Sequence, residues 1–445
     1  MVSASADPQL HEAAAPVALI PHGATYNRVL KGLSGAAGTA REQLLGPGGE
    51  LPALLAMPGR AAIDQLDRDC PEAVPFAEIT GDLCMERLRI SAPMRAAYRE
   101  SLDVGPEQKL VAVSSTWGPY SLTGTDRSLP ERLLIDLPAD EFKVAYIPHP
   151  NIDADHGGNL IAYMRPKLQN GLIMVPPDEG WRAALIASDC VVGDSGSVSL
   201  YAANLGRPVM LAAFAFEEMA AGTPQERFGH SAPRLDREAA PAPQIRSILD
   251  GSVERHRLLD DAWSEPSPGP AAQVLSRIYR LLDLAPDAVE PEMLPPPIPI
   301  PECEPMNAWH CSIGFEHSAI TWARYPASTP RRDLGHLVVD TACRRPQFRG
   351  DAAVLLSHAS AREPARAEAE ARTLLDAYPR SSIVSVRTDR NEALVLERGG
   401  GRFRVVADRP LLDLVPSALL RAGRDRVLNL GFGSVPGQPV IEPPD

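Results

Sequence analysis

Short apolar runs recur along the middle of this chain, each opening into a small, polar or proline-bearing turn and followed by apolar positions at helical spacing. Leu110 to Ser114 opens into Ser115-Thr116-Trp117-Gly118-Pro119, and Pro130 to Leu137 then reads as a helix with proline at its start. Phe142 to Ile147 opens into Pro148-His149-Pro150-Asn151, ahead of a helix from Asn159 to Leu168. Leu172 to Val175 opens into a turn that carries Glu179, ahead of a helix from Trp181 to Ala187. Cys190 to Val192 is the next buried run, broken by Gly193-Asp194-Ser195-Gly196-Ser197. A helical spacing from Val198 then stops at Gly206, with Pro208 beyond, and Val209 to Phe214 reads as a strand. This alternation predicts an α/β fold with a parallel, doubly wound sheet whose turns share one rim, at the carboxyl ends of the strands where such sheets bind ligands.

The flanks are less regular. Residues 1–16 are expected to be disordered. Pro16 to Ile20 is an apolar run ending in Pro21-His22-Gly23, and strands at Leu51 to Met57 and Phe76 to Gly81 bracket a helix at Ala61 to Asp67. Together they suggest a Rossmann-like lobe over residues 17–92, shortened against the roughly 120–150 residues of a complete one. A helix from Met94 to Leu102 opens the nucleotide-binding domain, residues 93–284, which an amphipathic helix from Ala271 to Leu284 closes. Residues 285–306 read as a proline-dense extended linker. Residues 307–445 form a small α/β domain with strand candidates at Leu337 to Asp340, Ala353 to Ser357, Ile383 to Val386, Leu394 to Glu397 and Phe403 to Val406, and helices at Glu363 to Ala377 and Leu411 to Arg421. Its residues suggest docking or oligomerisation rather than chemistry.

Composition narrows the classes. The 445 residues carry 44 Lys and Arg against 57 Asp and Glu, a net charge of −13, which argues against a nucleic-acid partner and leaves room for a local phosphate pocket. No apolar run approaches the roughly 20 residues of a transmembrane span, and no signal peptide is evident. The six cysteines show no C-x-x-C spacing and read as thiols of a reducing compartment, so a cytoplasmic protein is expected.

The turn Gly193-Asp194-Ser195-Gly196 spells the surroundings of a chymotrypsin-like nucleophile, but a strand–turn–helix setting is foreign to that all-β chemistry. Ser197 also stands where a G-x-S-x-G elbow needs glycine. Ser195 and Ser197 instead read as caps of a helix whose free N–H groups attract an anion, most often phosphate. A capped helix without ligand is the bland alternative. His149, between prolines at a strand end, is available as acid, base or phosphate partner, and His22 has a similar setting. No P-loop occurs, and the His and Cys spacings match no zinc site.

Ser114 to Pro119, Ile147 to Asn151, Ala187 to Val198 with Gly206-Arg207-Pro208 after it, and the amino-terminal Pro21-His22-Gly23-Ala24 resemble, in order, the motifs of the CDP-glycerol glycerophosphotransferase family. These are teichoic-acid polymerases and primases of GT-B glycosyltransferase-like fold. The resemblance implies a transferase that passes glycerophosphate or glycosyl from a nucleotide-diphosphate donor to a hydroxyl acceptor. His22 would be the general base and His149 would face the donor diphosphate. Asp194, Ser195, Gly196 and Ser197 would cradle phosphate, Thr116 and Trp117 would line the nucleotide pocket, and Glu179 would reach the ribose. No metal or other cofactor is implied, since helix dipole and imidazolium offset leaving-group charge. Ser195-Gly196 departs from the family's aromatic and serine, and its lysine after the His-Gly motif is absent, with Asn27-Arg28 nearby. The alternative is a catalytically inactive nucleotide-binding or interaction module on the same fold.

Overall fold

The computed structural model describes the chain apart from residues 21–25, 178, 253–261, 267, 286–291, 317–318, 330–334, 359–362, 425–426, 428–430, 433–438 and 443–445. It divides into two compact units. The first comprises Met1–Pro130, Lys143–Met164 and Ile173–Glu302, and the second Glu131–Phe142, Arg165–Leu172 and Cys303–Asp445.

The first unit opens with four parallel strands, side by side in chain order: β1 (Val2–Ser3), β2 (Ala18–Leu19), β3 (Leu54–Met57) and β4 (Ala77–Ile79). β3 is buried along its whole length, as an apolar run between two neighbours must be. Between these strands lie α1 (Arg41–Leu44) and α2 (Arg60–Asp69), whose Leu44, Ala62 and Leu66 pack with Leu55 and Met57. Residues 1–16, expected to be disordered, carry β1 and a 3-10 turn at Pro8–Glu12, because Ala18 N–H and Ile20 N–H along β2 donate to Met1 O and Ser3 O. The helix α3 (Leu83–Ile90), which its mixed polar sequence hides, starts where Asp82 accepts a hydrogen bond from Met85 N–H, and α4 (Arg95–Ser101) follows.

The expected alternation then appears, with β5 (Lys109–Ser115), α5 (Leu122–Thr125), α6 (Leu129–Asp136), β6 (Phe142–Pro148), α7 (Pro150–Asp155), α8 (Leu160–Leu168), β7 (Leu172–Met174), α9 (Gly180–Ala187), β8 (Cys190–Gly193), α10 (Ser197–Asn204) and β9 (Val209–Leu211). The sheet order is β7-β6-β5-β8-β9, and β5–β8 and β8–β9 pair in parallel, so the order reverses between β5 and β8. That reversal opens a crevice at the strands' carboxyl ends. Gly206, at φ +73, ends α10 in the left-handed conformation that a helix C-terminus favours, as its sequence predicts. The helices α11 (Pro224–Ser231), α12 (Pro241–Asp250) and α13 (Pro270–Leu281) complete the unit. The proline-dense stretch does not run free between residues 292 and 302. Tyr98 Oη donates to Pro296 O at 2.7 Å, Arg87 Nε to Leu294 O at 2.9 Å, and Glu302 exchanges backbone bonds with Met174.

In the second unit, a hairpin of β10 (Ala308–Glu316) and β11 (Ala319–Pro326) precedes β12 (His336–Asp340), α14 (Pro346–Asp351), β13 (Val354–Ser357), α15 (Pro364–Ala377), β14 (Ile383–Asp389), β15 (Glu392–Glu397), β16 (Arg402–Val406), α16 (Arg409–Ala422), β17 (Gly431–Phe432) and β18 (Val440–Glu442). The nine strands form one sheet in the order β17-β11-β10-β12-β13-β14-β15-β16-β18, with β12, β13 and β14 parallel at its centre. Val354 and Leu356 of β13 pack with Leu412 and Val415 of α16, and Leu355 packs with Ala367 and Ala371 of α15. Alternate residues of a strand face opposite sides, so the two helices cover opposite faces. The β10–β11 hairpin was not anticipated, although Trp309, Cys311, Ile313 and Phe315 alternate with polar or small residues as a half-buried strand requires.

Candidate nucleotide cleft

The β5 and β8 ends are joined by one carboxylate. Asp194 is fully buried; its Oδ2 accepts from Thr116 N–H at 2.9 Å and Leu122 N–H at 2.8 Å, and its Oδ1 from Gly196 N–H at 2.9 Å. Burial pushes its pKa up to about 6 against the opposing pull of those N–H groups and of the Ser115 hydroxyl. Asp194 thus sits behind the wall of the cleft, holding two loops together rather than facing a ligand.

The serines do not cap the helix as expected. The N-cap of α10 is Gly196, which supplies no side chain, and Ser197 is the first helical residue. The N–H groups of the first turn therefore meet no side-chain cap, and the helix dipole leaves partial positive charge there. Ser195, Gly196 and Ser197 line a cleft of about 400 Å³, together with Thr116, Trp117 and Gln225. Neither serine hydroxyl bonds to another described residue. Gln225, only 1% exposed, donates through Nε2 to Ser195 O at 3.1 Å and to Gly196 O at 3.4 Å. This fixes the amide and leaves its buried Oε1 without a partner among the described residues. A ligand hydroxyl or amine would satisfy that oxygen.

The other wall comes from the amino-terminal sheet and its loops: Ala4, Ser5, Leu19, Ile20, Tyr26, Arg28 and Gln43 among others. Arg28 is the one cation among the described lining residues. It pairs with Glu218 at 2.6 Å, lies 4.7 Å over the Trp117 ring, and keeps a buried Nε without a partner among the described residues. Burial raises the Tyr26 phenol well above its ordinary value, so it is a proton donor rather than a base. Arg28 stands beside the His-Gly motif in sequence, whereas Gln225 lies one helix beyond the motifs, and no local signal marks it.

His149 N-caps α7, accepting from Asn151 N–H on Nδ1 at 3.1 Å, while its backbone N–H donates to Ser115 O at 3.0 Å. It therefore stands on the same rim, with its ring centroid 6.3 Å from that of Trp117, but is not among the lining residues. Glu179 is not among them either. It binds Arg87 through both oxygens at 3.2 Å and Arg182 at 3.1 Å, tying the β7–α9 turn to α3. His22 lies outside the described residues, although Ile20 and Tyr26 on either side of that gap both line the cleft. Among the described residues no cluster of His, Cys, Asp or Glu is placed to hold a metal ion, and no helix is long and apolar enough to cross a membrane.

A second set of strand ends carries charge. Asp340 closes β12 and His358 follows β13. His358 Nδ1 meets Asp340 at 2.7 Å and its Nε2 meets Asp413 of α16 at 3.0 Å, while Arg387 of β14 reaches Asp413 at 3.3 Å. The two hydrogen bonds, to Asp340 and then Asp413, outweigh burial and raise the His358 pKa to about 9. Burial acts on Asp340 in the opposite direction, but the His358 hydrogen bond and nearby positive charge hold it below the usual value. The space beside them is only about 10 Å³. His358 follows an apolar run just as His149 does, and that signal was legible in the sequence.

No protein-family model matches this sequence, and no curated protein matches it. Several solved structures are similar at low identity. A variant of the wall teichoic acid polymerase TagF is 15% identical, with 56% of this chain covering 65% of that one at a TM-score of 0.36. A variant of the same polymerase soaked with CDPG is 15% identical over 44% of this chain, at 0.32, and the match spans 48% of the polymerase chain. The UDP-GlcNAc 2-epimerase of Methanocaldococcus jannaschii, in complex with UDP-GlcNAc and UDP, is 14% identical over 52% of this chain and 61% of its own, at 0.34.

Proposed function

We propose that the cleft at the β5–β8 reversal binds the diphosphate of a nucleotide donor, and that the protein is a GT-B-like transferase acting on a hydroxyl acceptor. One observation carries the reading: an α10 N-terminus without a side-chain cap faces a cleft in which Ser195 and Ser197 hydroxyls and the Gln225 Oε1 all lack partners among the described residues. Phosphate oxygens fit the N–H groups, the two hydroxyls and Arg28, and a ribose hydroxyl or base amine fits Gln225. In the reaction, the acceptor hydroxyl gives its proton to a base as its oxygen attacks, and the bond to the nucleotide breaks. The electron pair leaves with the nucleotide, whose added charge meets the positive end of α10. CDP-glycerol is the donor we favour, on the motif resemblance.

The base is the decisive point. Glu218 is held by Arg28 and Tyr26 retains its proton, so neither is a free base, and the motif resemblance assigns the role to His22. If His22 does not serve, the same cleft makes the chain an idle nucleotide-binding module. Calorimetric titration with CDP, UDP, GDP and CDP-glycerol tests the site, with Ser197→Ala expected to weaken the preferred nucleotide about tenfold. No binding by any of the four overturns both readings. Binding without release of CMP from CDP-glycerol, in the wild type and His22→Ala alike, favours the idle module.

A further inference from the structure

The second unit holds a cavity of about 530 Å³, a size that accommodates a small organic ligand. It is lined by Arg165, Arg344 and Arg345 against a single carboxylate, Glu304, and by the otherwise apolar or neutral Asn170, Asn307, Cys343 and Phe348. Arg345 is held in place: its Nη2 donates to Gln169 Oε1 and its guanidinium lies 5.5 Å over the Phe348 ring. Its remaining N–H groups have no partner among the described residues. Arg344 is exposed and has neither an ion pair nor a hydrogen bond to any of them, while Arg165 meets Glu304 only at 3.8 Å. Asn170 is the independent sign of a ligand. It is 7% exposed, lines the cavity, and its side-chain amide bonds to no described residue, so its hydrogen-bonding capacity is left to whatever occupies the cavity.

We propose that this cavity is a binding site for a small polyanion, bearing phosphoryl or carboxylate groups, which Arg345 grips in a fixed orientation while Arg344 closes over it. A guanidinium fixed by one bond and one ring presents its other donors as a planar fork, the geometry that carboxylate and phosphate oxygens match. Asn170 supplies a donor or acceptor to the neutral part of the ligand. The net positive lining inside an acidic protein selects anions locally.

Pyrophosphate and citrate, titrated calorimetrically at low ionic strength into the full chain, distinguish the two ligand chemistries. At least one is expected to bind the wild type, and about tenfold more weakly in Arg344→Gln. Arg344 is exposed and unpaired among the described residues, so this variant leaves folding untouched. Arg345→Gln is expected to lose binding altogether, with heat capacity of unfolding checked alongside. Binding of pyrophosphate alone identifies a phosphoryl ligand, and of citrate alone a carboxylate. Absence of binding by both, or binding unchanged in Arg344→Gln, overturns the proposal, since anion held only at the α10 cleft would be indifferent to this arginine.

Discussion

The two units place polar chemistry at the same address, the carboxyl ends of parallel strands, and treat it in opposite ways. At β5 and β8 the rim is open: a cleft of about 400 Å³ is lined by hydroxyls and a buried amide oxygen that meet no described partner. At β12, β13 and β14 the rim is closed: His358 lies between Asp340 and Asp413, Arg387 completes the set, and about 10 Å³ remains. Position in an α/β sheet nominates both. Unmet hydrogen-bonding capacity separates them, because a polar group without a partner is tolerated only where a ligand or water supplies one.

The largest test of this contrast lies behind the open rim. Asp194→Ala removes the acceptor for three backbone N–H groups, those of Thr116, Leu122 and Gly196. With unsatisfied buried donors costing about 1–3 kcal/mol each, partly offset by relaxation, a loss of about 3–5 kcal/mol is expected, read as faster hydrogen exchange across β5 and β8. Exchange there unchanged would mean that the rim does not depend on this carboxylate.

The same two regions should also answer pH in different windows. The Asp194 pKa is raised from 3.8 to about 6, so the folded state holds its proton more tightly than the unfolded chain does. The associated stability is full below 3.8 and is lost as pH rises through about 6. The His358 pKa is raised from 6.5 to about 9, so its contribution is full below 6.5 and is lost between 6.5 and 9. Asp340, held low, contributes above its unfolded value and loses that only in acid. His358→Gln should therefore abolish the alkaline loss of protection in β12–β14, worth up to about 3 kcal/mol, and leave the acid window of β5–β8 intact. A shared pH profile for the two segments would undo the distinction.

Local patterning made the α/β class and the doubly wound sheet legible, since each buried run, turn and helix between Leu110 and Leu211 is specified within its own few residues. What escaped depends on distant partners. Asp194 looks like a ligand-facing residue beside two serines, and only contact with the β5 loop, 72–79 residues away, turns it into a brace. Gln225 matters because its amide reaches back 30 residues to Ser195 O. Ser195 and Ser197 each suit an N-cap, and the backbone at Gly196 takes that place instead. The β10–β11 hairpin and His358 are different cases, with period-2 alternation and a histidine at a strand end both present in the sequence.

Within the open cleft, Gln225→Leu keeps the bulk and removes both the bonds to Ser195 O and Gly196 O and the free Oε1. Nucleotide affinity is expected to fall about tenfold, matching the loss of one satisfied buried hydrogen bond, with thermal stability lowered by only a few degrees. Equal affinity would show that Oε1 faces no part of the nucleotide and shift recognition to Thr116 and Trp117.

The smallest expected effect sharpens the comparison most narrowly. The family resemblance implies a ribose contact for Glu179, yet it holds Arg87 and Arg182 and is 43% exposed. Ion pairs this open to solvent contribute at most about 1 kcal/mol, so Glu179→Gln should cost less than that in stability. It should also leave nucleotide affinity within about twofold, because neutralising a residue outside the cleft removes no ligand contact. Titration of the variant with the preferred nucleotide decides the matter. A tenfold loss would bring the ribose to the β7–α9 turn, and the nucleotide would then extend along the rim past β5 and β6 instead of stopping at the α10 end.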